Sequence, residues 1–158
     1  MRAMFESTKT EKKPWFAEGL RFTCTQCGNC CTGPPGYVWF NDAEHERMAD
    51  HLGMSRQAFL QRYAKAIYGR WSLGEVKTSY GYDCVLLERD PETGQGRCSV
   101  YSARPTQCRT WPFWPENLKS PRSWRRAARG CPGMANGLEG EGKLYPVEHI
   151  RIQRDATP

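Results

Sequence analysis

Aliphatic residues are scarce in this chain. Leucine, isoleucine, valine and phenylalanine together make up 23 of its 158 residues, below the roughly 20% at which an ordinary hydrophobic core becomes doubtful. The shortage does not amount to intrinsic disorder, which also calls for high net charge and few aromatics; the formal charge is only +6 and there are 19 aromatic residues. Long apolar runs are missing as well. The longest, Tyr37 to Phe40 and Cys84 to Leu87, fall far short of the ~18 residues of a membrane span, so no segment is expected to cross a bilayer. The N-terminus, Met1 to Phe16, is rich in Lys and Glu and lacks the apolar stretch of a secretory signal, which leads to the expectation of a reducing, cytoplasmic setting. Histidine is nearly absent, with His45, His51 and His149 alone, and no nucleotide-binding glycine loop or Ser-His-Asp set can be argued from order or spacing.

Cysteine, by contrast, is plentiful: eight thiols, at Cys24, Cys27, Cys30, Cys31, Cys84, Cys98, Cys108 and Cys131. In a reducing compartment closely spaced cysteines more often bind metal than form disulfides. Cys24, Cys27 and Cys30 lie three apart in a Gly- and Pro-rich segment, and a loop of that spacing can turn its thiolates toward one centre, as in bacterial ferredoxin runs. Cys131-Pro132 has the form of the distant fourth ligand of such a run. Cys31 is unusual. In extended chain, adjacent residues point to opposite sides, so Cys30 and Cys31 are expected to serve two centres more readily than one. Eight thiols permit two four-cysteine sites, or one site plus spare or catalytic thiols. All-thiolate coordination suits zinc or iron–sulfur clusters over hard cations. The overlapping triple without a second C-x-x-C knuckle tilts the reading toward an iron–sulfur cluster, of the 4Fe–4S type, ahead of zinc. The histidines are expected to be non-ligating, with His45 and His51 on an exposed helix.

The local signals predict an α+β domain, small and irregular, organised by metal, with a few helices and a β-hairpin. Asn41 and Glu44 form a capping box for a helix ending near Gly53. Ser55 caps a second, with Phe59, Leu60, Tyr63 and Ile67 on one face. Cys84 to Glu88 and Arg97 to Tyr101 read as the strands of one hairpin, a helical turn after Pro105 carries Cys108, and a helix runs from Ser120-Pro121 to Gly130. Residues 1–19 are expected to form a partly mobile segment, anchored near Trp15 and Phe16, ahead of a cysteine-cluster domain over 20–158.

The ordered pattern Phe22-x-Cys-x-x-Cys-Gly-x-Cys-Cys31, Cys84-Val-Leu-Leu, Cys98-Ser-Val-Tyr-x-x-Arg-Pro-x-x-Cys108-Arg-x-x-Pro112-Phe113 and Cys131-Pro-Gly resembles the YkgJ-like CxxCxxCC family of zinc- or iron-chelating proteins. The resemblance implies metal binding through these cysteines. A flagellin lysine methylase associated with an iron–sulfur cluster is similar in its cysteine pattern, which implies that the family includes enzymes of modification. This chain departs from the usual form in its aromatic stretch Trp111 to Trp114 and in its Arg-rich helix. Arg104 and Arg109 belong to the motif, and guanidinium groups can stabilise an anionic four-thiolate centre; the plainer role for Arg104 is to cap a carbonyl or pair with an acid such as Asp83. Trp111, Phe113 and Trp114 either shield a cluster or simply fill the core.

The positive charge is local. Residues 97–138 carry eight cations against Glu116 alone, and Arg122, Arg125, Arg126 and Arg129 follow helical spacing on one face, opposite Trp124, Ala127 and Ala128. That face suits an anionic or protein partner. The formal +6 counts every thiol as neutral, so a metallated protein is only mildly basic overall. Two functions follow: a metal-binding protein whose cysteines hold an iron–sulfur cluster (or zinc) with a redox or protein-modification role, and a structural zinc protein whose basic helix binds an anionic macromolecule.

Overall fold

The computed structural model describes residues 12–158. In chain order the elements are β1 (Leu20–Phe22), a 3₁₀ turn (Asn29–Cys31), β2 (Trp39–Phe40), α1 (Asp42–His51), α2 (Arg56–Tyr63), β3 (Ala64–Ile67), β4 (Arg70–Leu73), β5 (Glu75–Thr78), β6 (Gly81–Cys84), β7 (Leu87–Arg89) and β8 (Gly96–Cys98). They continue with a second 3₁₀ turn (Tyr101–Ala103), α3 (Thr106–Arg109), α4 (Pro115–Leu118), α5 (Pro121–Ala128), α6 (Pro132–Leu138), β9 (Lys143–Tyr145) and α7 (Val147–Ala156). The strands form four small antiparallel sheets, β1–β9, β2–β4–β3, β5–β6 and β7–β8, so the class is α+β. The start of the N-terminal segment expected to be mobile lies outside the described residues; within its remainder Phe16 is buried.

Two hydrophobic clusters stand where one core would be usual. The first packs Phe16, Phe22, Phe113, Leu118, Trp124, Met134 and Ile150, with Cys131 among them. It is largely aromatic: Phe113 stacks on Trp124 with ring centroids 5.8 Å apart, and such pairs add about 0.5–1.5 kcal/mol beyond area burial. The second packs Phe40, Met48, Phe59, Leu73, Leu86 and Val100, with Cys84 and Cys98 against it. A fully buried Met48 or Phe59 contributes roughly 1.5–3 kcal/mol.

The helix starts follow their sequence signals. Asn41 accepts from the Glu44 N–H while Glu44 accepts from the Asn41 N–H, and α1 ends before Gly53, whose φ is +65°. Ser55 caps α2 and Ser120 caps α5 through side-chain bonds to Ala58 and Ser123. Three expectations need correction. The α2 helix stops at Tyr63, and Ile67 lies on β3, because Tyr68-Gly69 adopts positive φ at both residues and turns the chain back into β4. Cys84 and Cys98 belong to two hairpins: Cys84 ends β6, paired with β5, while Cys98 ends β8 opposite Leu87. His45 is buried, not exposed; its Nε2 lies 2.8 Å from the Arg56 carbonyl and its ring packs between Phe40 and Phe59.

The segment after Cys131, for which the sequence signals predict no element, folds into α6, β9 and α7. Strand β9 pairs with β1, and α6 lies on β1 so closely that a Cβ on Gly133 would strike the Thr23 carbonyl and one on Gly137 the Arg21 carbonyl. Cys131 enters the first cluster at the head of α6.

Candidate metal centre

All eight cysteines line a single cavity of about 270 Å³. It lies at the seam between the two clusters, with Phe22 from the first and Leu73, Leu86 and Val100 from the second in its wall. All eight thiols are free. The loop from Cys24 to Cys31 follows β1, and its shape rests on two backbone conformations. Gln26 takes a positive φ of 55°, and its N–H donates to the Cys24 sulfur at 3.4 Å. Gly28 has φ +76° and sits so close to the backbone of Gly96 that a Cβ there would lie 2.9 Å from the Gly96 carbonyl oxygen. Both the left-handed backbone and the close approach require glycine, and the contact seats the cysteine loop on the strand leading to Cys98.

The expectation that Cys30 and Cys31 face opposite ways is overturned. They close a 3₁₀ turn, in which consecutive side chains are no longer opposed as in a strand, and their sulfurs lie 4.0 Å apart. The hydrogen bond between the two thiols, helped by the charge of Arg104, lowers Cys30 to about 7, while the same contact and burial raise Cys31. The thiols feel one another's charge: Cys30, Cys84 and Cys108 act on Cys31, Cys84 and Cys98 on Cys108, and Cys27 and Cys30 on Cys131, although among the described residues no three of them stand close enough to hold one ion as they are. Burial pushes Cys84 up to about 11 and raises Cys98, Cys108 and Cys131 as well, nearby thiolate charge adding to the effect. Buried sulfurs of this kind ionise readily only when a cation replaces their protons.

The donor set fits a thiophilic metal or cluster. No carboxylate lines the cavity. His51 does, but its Nε2 lies 3.1 Å from the Ser99 carbonyl and its Nδ1 3.4 Å from the Ser102 hydroxyl, so both nitrogens are engaged. Arg104 donates from Nε to the Tyr101 carbonyl and stacks over the Tyr101 ring at 3.7 Å; it caps a carbonyl, and its charge also favours the thiolates of Cys30, Cys98 and Cys108. Asp83 pairs instead with Arg89. Trp111 lines the cavity with a buried Nε1–H that finds no partner at full hydrogen-bonding geometry and lies beside the Cys131 sulfur. Phe113 is core, and Trp114 donates to the Gln107 carbonyl against the edge of Trp111.

Sequence reading missed three supports. The Cys24 sulfur lies beside the Tyr101 hydroxyl and, with burial, pushes that phenol up. Glu44, recognisable only as a cap, also accepts from the Thr106 N–H at 2.7 Å and so anchors the turn carrying Cys108. Asp83 accepts from Thr32, the residue after Cys31, and from Arg89, tying the cysteine loop to the strand that ends in Cys84. Their partners are 62 and 51 residues away in sequence for Glu44 and Asp83, beyond the reach of local pattern. Arg122, Arg125, Arg126 and Arg129 are all exposed on α5, with Trp124 and Ala128 buried beneath.

The sequence profile of a family described as "CxxCxxCC: Putative zinc- or iron-chelating domain" matches residues 23–132. An uncharacterized protein of Methanocaldococcus jannaschii is 26% identical over 112 residues, which are 71% of this chain. The match spans 56% of that relative's length. No solved structure matches the chain.

Proposed function

The chain belongs to the CxxCxxCC family of zinc- or iron-chelating domains, and from that premise we propose that its cavity holds an iron–sulfur centre with a redox or protein-modifying role. The observation that carries this reading is that all eight cysteines, spread over 108 positions of sequence, line one cavity of about 270 Å³, more space than a single four-coordinate ion fills. Cys24, Cys27, Cys30 and Cys131 hold a 4Fe–4S cluster, in keeping with the ferredoxin-like spacing and the Cys-Pro partner. Cys31, Cys84, Cys98 and Cys108 form a second four-thiolate set. A bound cluster would supply one-electron storage. The protein's own groups do the rest: the hydrophobic clusters wall the inner side of the cavity while Cys24 and Cys30 stand exposed at its outer side, Arg104 offsets thiolate charge, and the Trp111 N–H is available to sulfur at Cys131. The eight free thiols suit a reducing cytoplasm.

One distance favours a second reading. Two thiolates on one tetrahedral zinc lie about 3.8 Å apart, given Zn–S bonds of ~2.3 Å, and the Cys30 and Cys31 sulfurs are separated by 4.0 Å. In this reading the sites are structural zinc, and the exposed arginines of α5 meet an anionic macromolecule.

Anaerobically purified protein decides between them. The cluster reading expects broad visible absorbance with iron and acid-labile sulfide in near-equal amounts, reduced in Cys27→Ser and Cys131→Ser. Zinc without iron or sulfide overturns it.

A further inference from the structure

Beside the thiol cavity lies a second cleft of about 270 Å³ that shares Cys24, Cys30, Cys108 and Trp111 with it. Three cations line this cleft, Arg104, Arg109 and Lys143, and no carboxylate does. We propose that the cleft binds a small organic anion, a carboxylate or phosphate on a planar apolar body, and presents it to the metal centre; this rests on the metal reading above and names the substrate class of that same site.

Arg104 favours the thiolates of Cys30, Cys98 and Cys108. Among the described residues neither Arg109 nor Lys143 has an ion-pair partner: Arg109 donates from one Nη to the Thr106 hydroxyl at 3.0 Å, and Lys143 lies over the Tyr145 ring, 5.1 Å from its centroid. Each guanidinium has one N–H fixed within the protein, Arg104 on the Tyr101 carbonyl and Arg109 on Thr106. Five donors per arginine leave the others for a ligand, and anchored side chains lose little entropy on binding. Arg109 and Lys143, without an ion-pair partner among the described residues, add to Arg104 in a walled cleft and concentrate anions there. The walls are aromatic, Tyr101 and Trp111 facing Tyr145, with Gln153 as a neutral polar group, which suits a flat, unsaturated body. Lys143, Tyr145 and Gln153 lie beyond residues 23–132. The lysine is brought to Cys24 by β9, whose Lys143 N–H donates to the Thr23 hydroxyl at 3.1 Å.

Trp111 borders both cavities, so tryptophan fluorescence serves as the readout. Full-length protein as purified anaerobically is titrated with phenyl phosphate and, separately, with phthalate, at fixed ionic strength, with metal content and visible spectrum recorded on the same samples. Saturable binding of at least one probe is expected, half-complete below about 1 mM, and the probe that binds names the headgroup. Arg109→Gln/Lys143→Gln weakens binding at least tenfold while metal content and spectrum stay unchanged, and Arg122→Gln/Arg126→Gln on α5 leaves binding unaltered. Metal-loaded protein that binds neither probe, or binds equally in the Arg109/Lys143 variant, overturns the cleft. Protein that binds the probes but carries no metal overturns the function proposed above and leaves the cleft standing.

Discussion

At Asp83 a buried carboxylate gathers three donors one residue before a cavity thiol. Thr32 donates from the cysteine loop, and Arg89 donates through Nε and Nη2 while stacking over Tyr80 at 3.9 Å. The hydrogen bond from Arg89, with that from Thr32, holds the carboxyl below the ordinary aspartate value of 3.8. Since the folded-state value is the depressed one, the stabilisation is fully present above the unfolded-state value and fades as pH falls through the folded one. Removing one member of a buried pair typically costs 3–5 kcal/mol; with Arg89 one-fifth exposed, Asp83→Asn is expected to cost about 2–3 kcal/mol at pH 7. Urea unfolding of both proteins checks this, and the difference should close below about pH 4. A gap that persists at lower pH would show that the amide fails for steric reasons.

Among the elements, the capped helices were legible because their signals are local: Asn41 with Glu44, Ser55, and Ser120 with Pro121 each lie within a few residues of the backbone they satisfy. The sequence signals ended a helix at Gly130 and gave no element for Cys131-Pro-Gly-Met-Ala-Asn-Gly, whose glycines disfavour a helix interior. Here the glycines serve packing, since α6 could not approach β1 with side chains at positions 133 and 137. Strand β9 is three residues long and α7 buries Ile150 alone, too little pattern to declare either. The cysteine segment was legible as a loop from its Gly and Pro content, but the facing of Cys30 and Cys31 was not, because it depends on a 3₁₀ turn seated against Gly96. In an exposed helix Gly→Ala stabilises by up to about 1 kcal/mol. Gly137→Ala should instead destabilise by about 1–3 kcal/mol through overpacking and lower the thermal midpoint by roughly 2–4 °C per kcal/mol. Gly130→Ala, whose nearest neighbour is 4.0 Å away, serves as the neutral control. A neutral Gly137→Ala would mean that α6 and β1 can separate without cost.

For the molecule as a whole, the scarcity of aliphatic residues and the division into two clusters are one fact seen twice. Neither cluster is large, and the thiols that line the seam come from both sides: Cys131 from the first, Cys84 and Cys98 against the second. The metal centre proposed there would fasten the halves together, so that metal-binding free energy would enter directly into folding. If the metal contributes about 5 kcal/mol, removing it under reducing conditions lowers the thermal midpoint by roughly 10–20 °C. The melt should also broaden as the clusters lose their coupling. Calorimetry on metal-loaded and chelator-treated protein tests this; coincident, equally sharp transitions would show that the clusters hold together through packing alone.

The distance along the chain from Cys31 to Cys131 has a consequence in time. At about 5–20 residues per second, a ribosome exposes the loop of four thiols some 5–20 s before it adds Cys131, and later still before β9 pairs with β1 and closes the first cluster. During that interval the nascent loop is a multidentate chelator without its distant partner, open to whichever thiophilic ion is most available. For a metal held by these thiols, as proposed above, cellular supply during synthesis and exchange once the fold has closed would then weigh on its identity alongside the finished cavity.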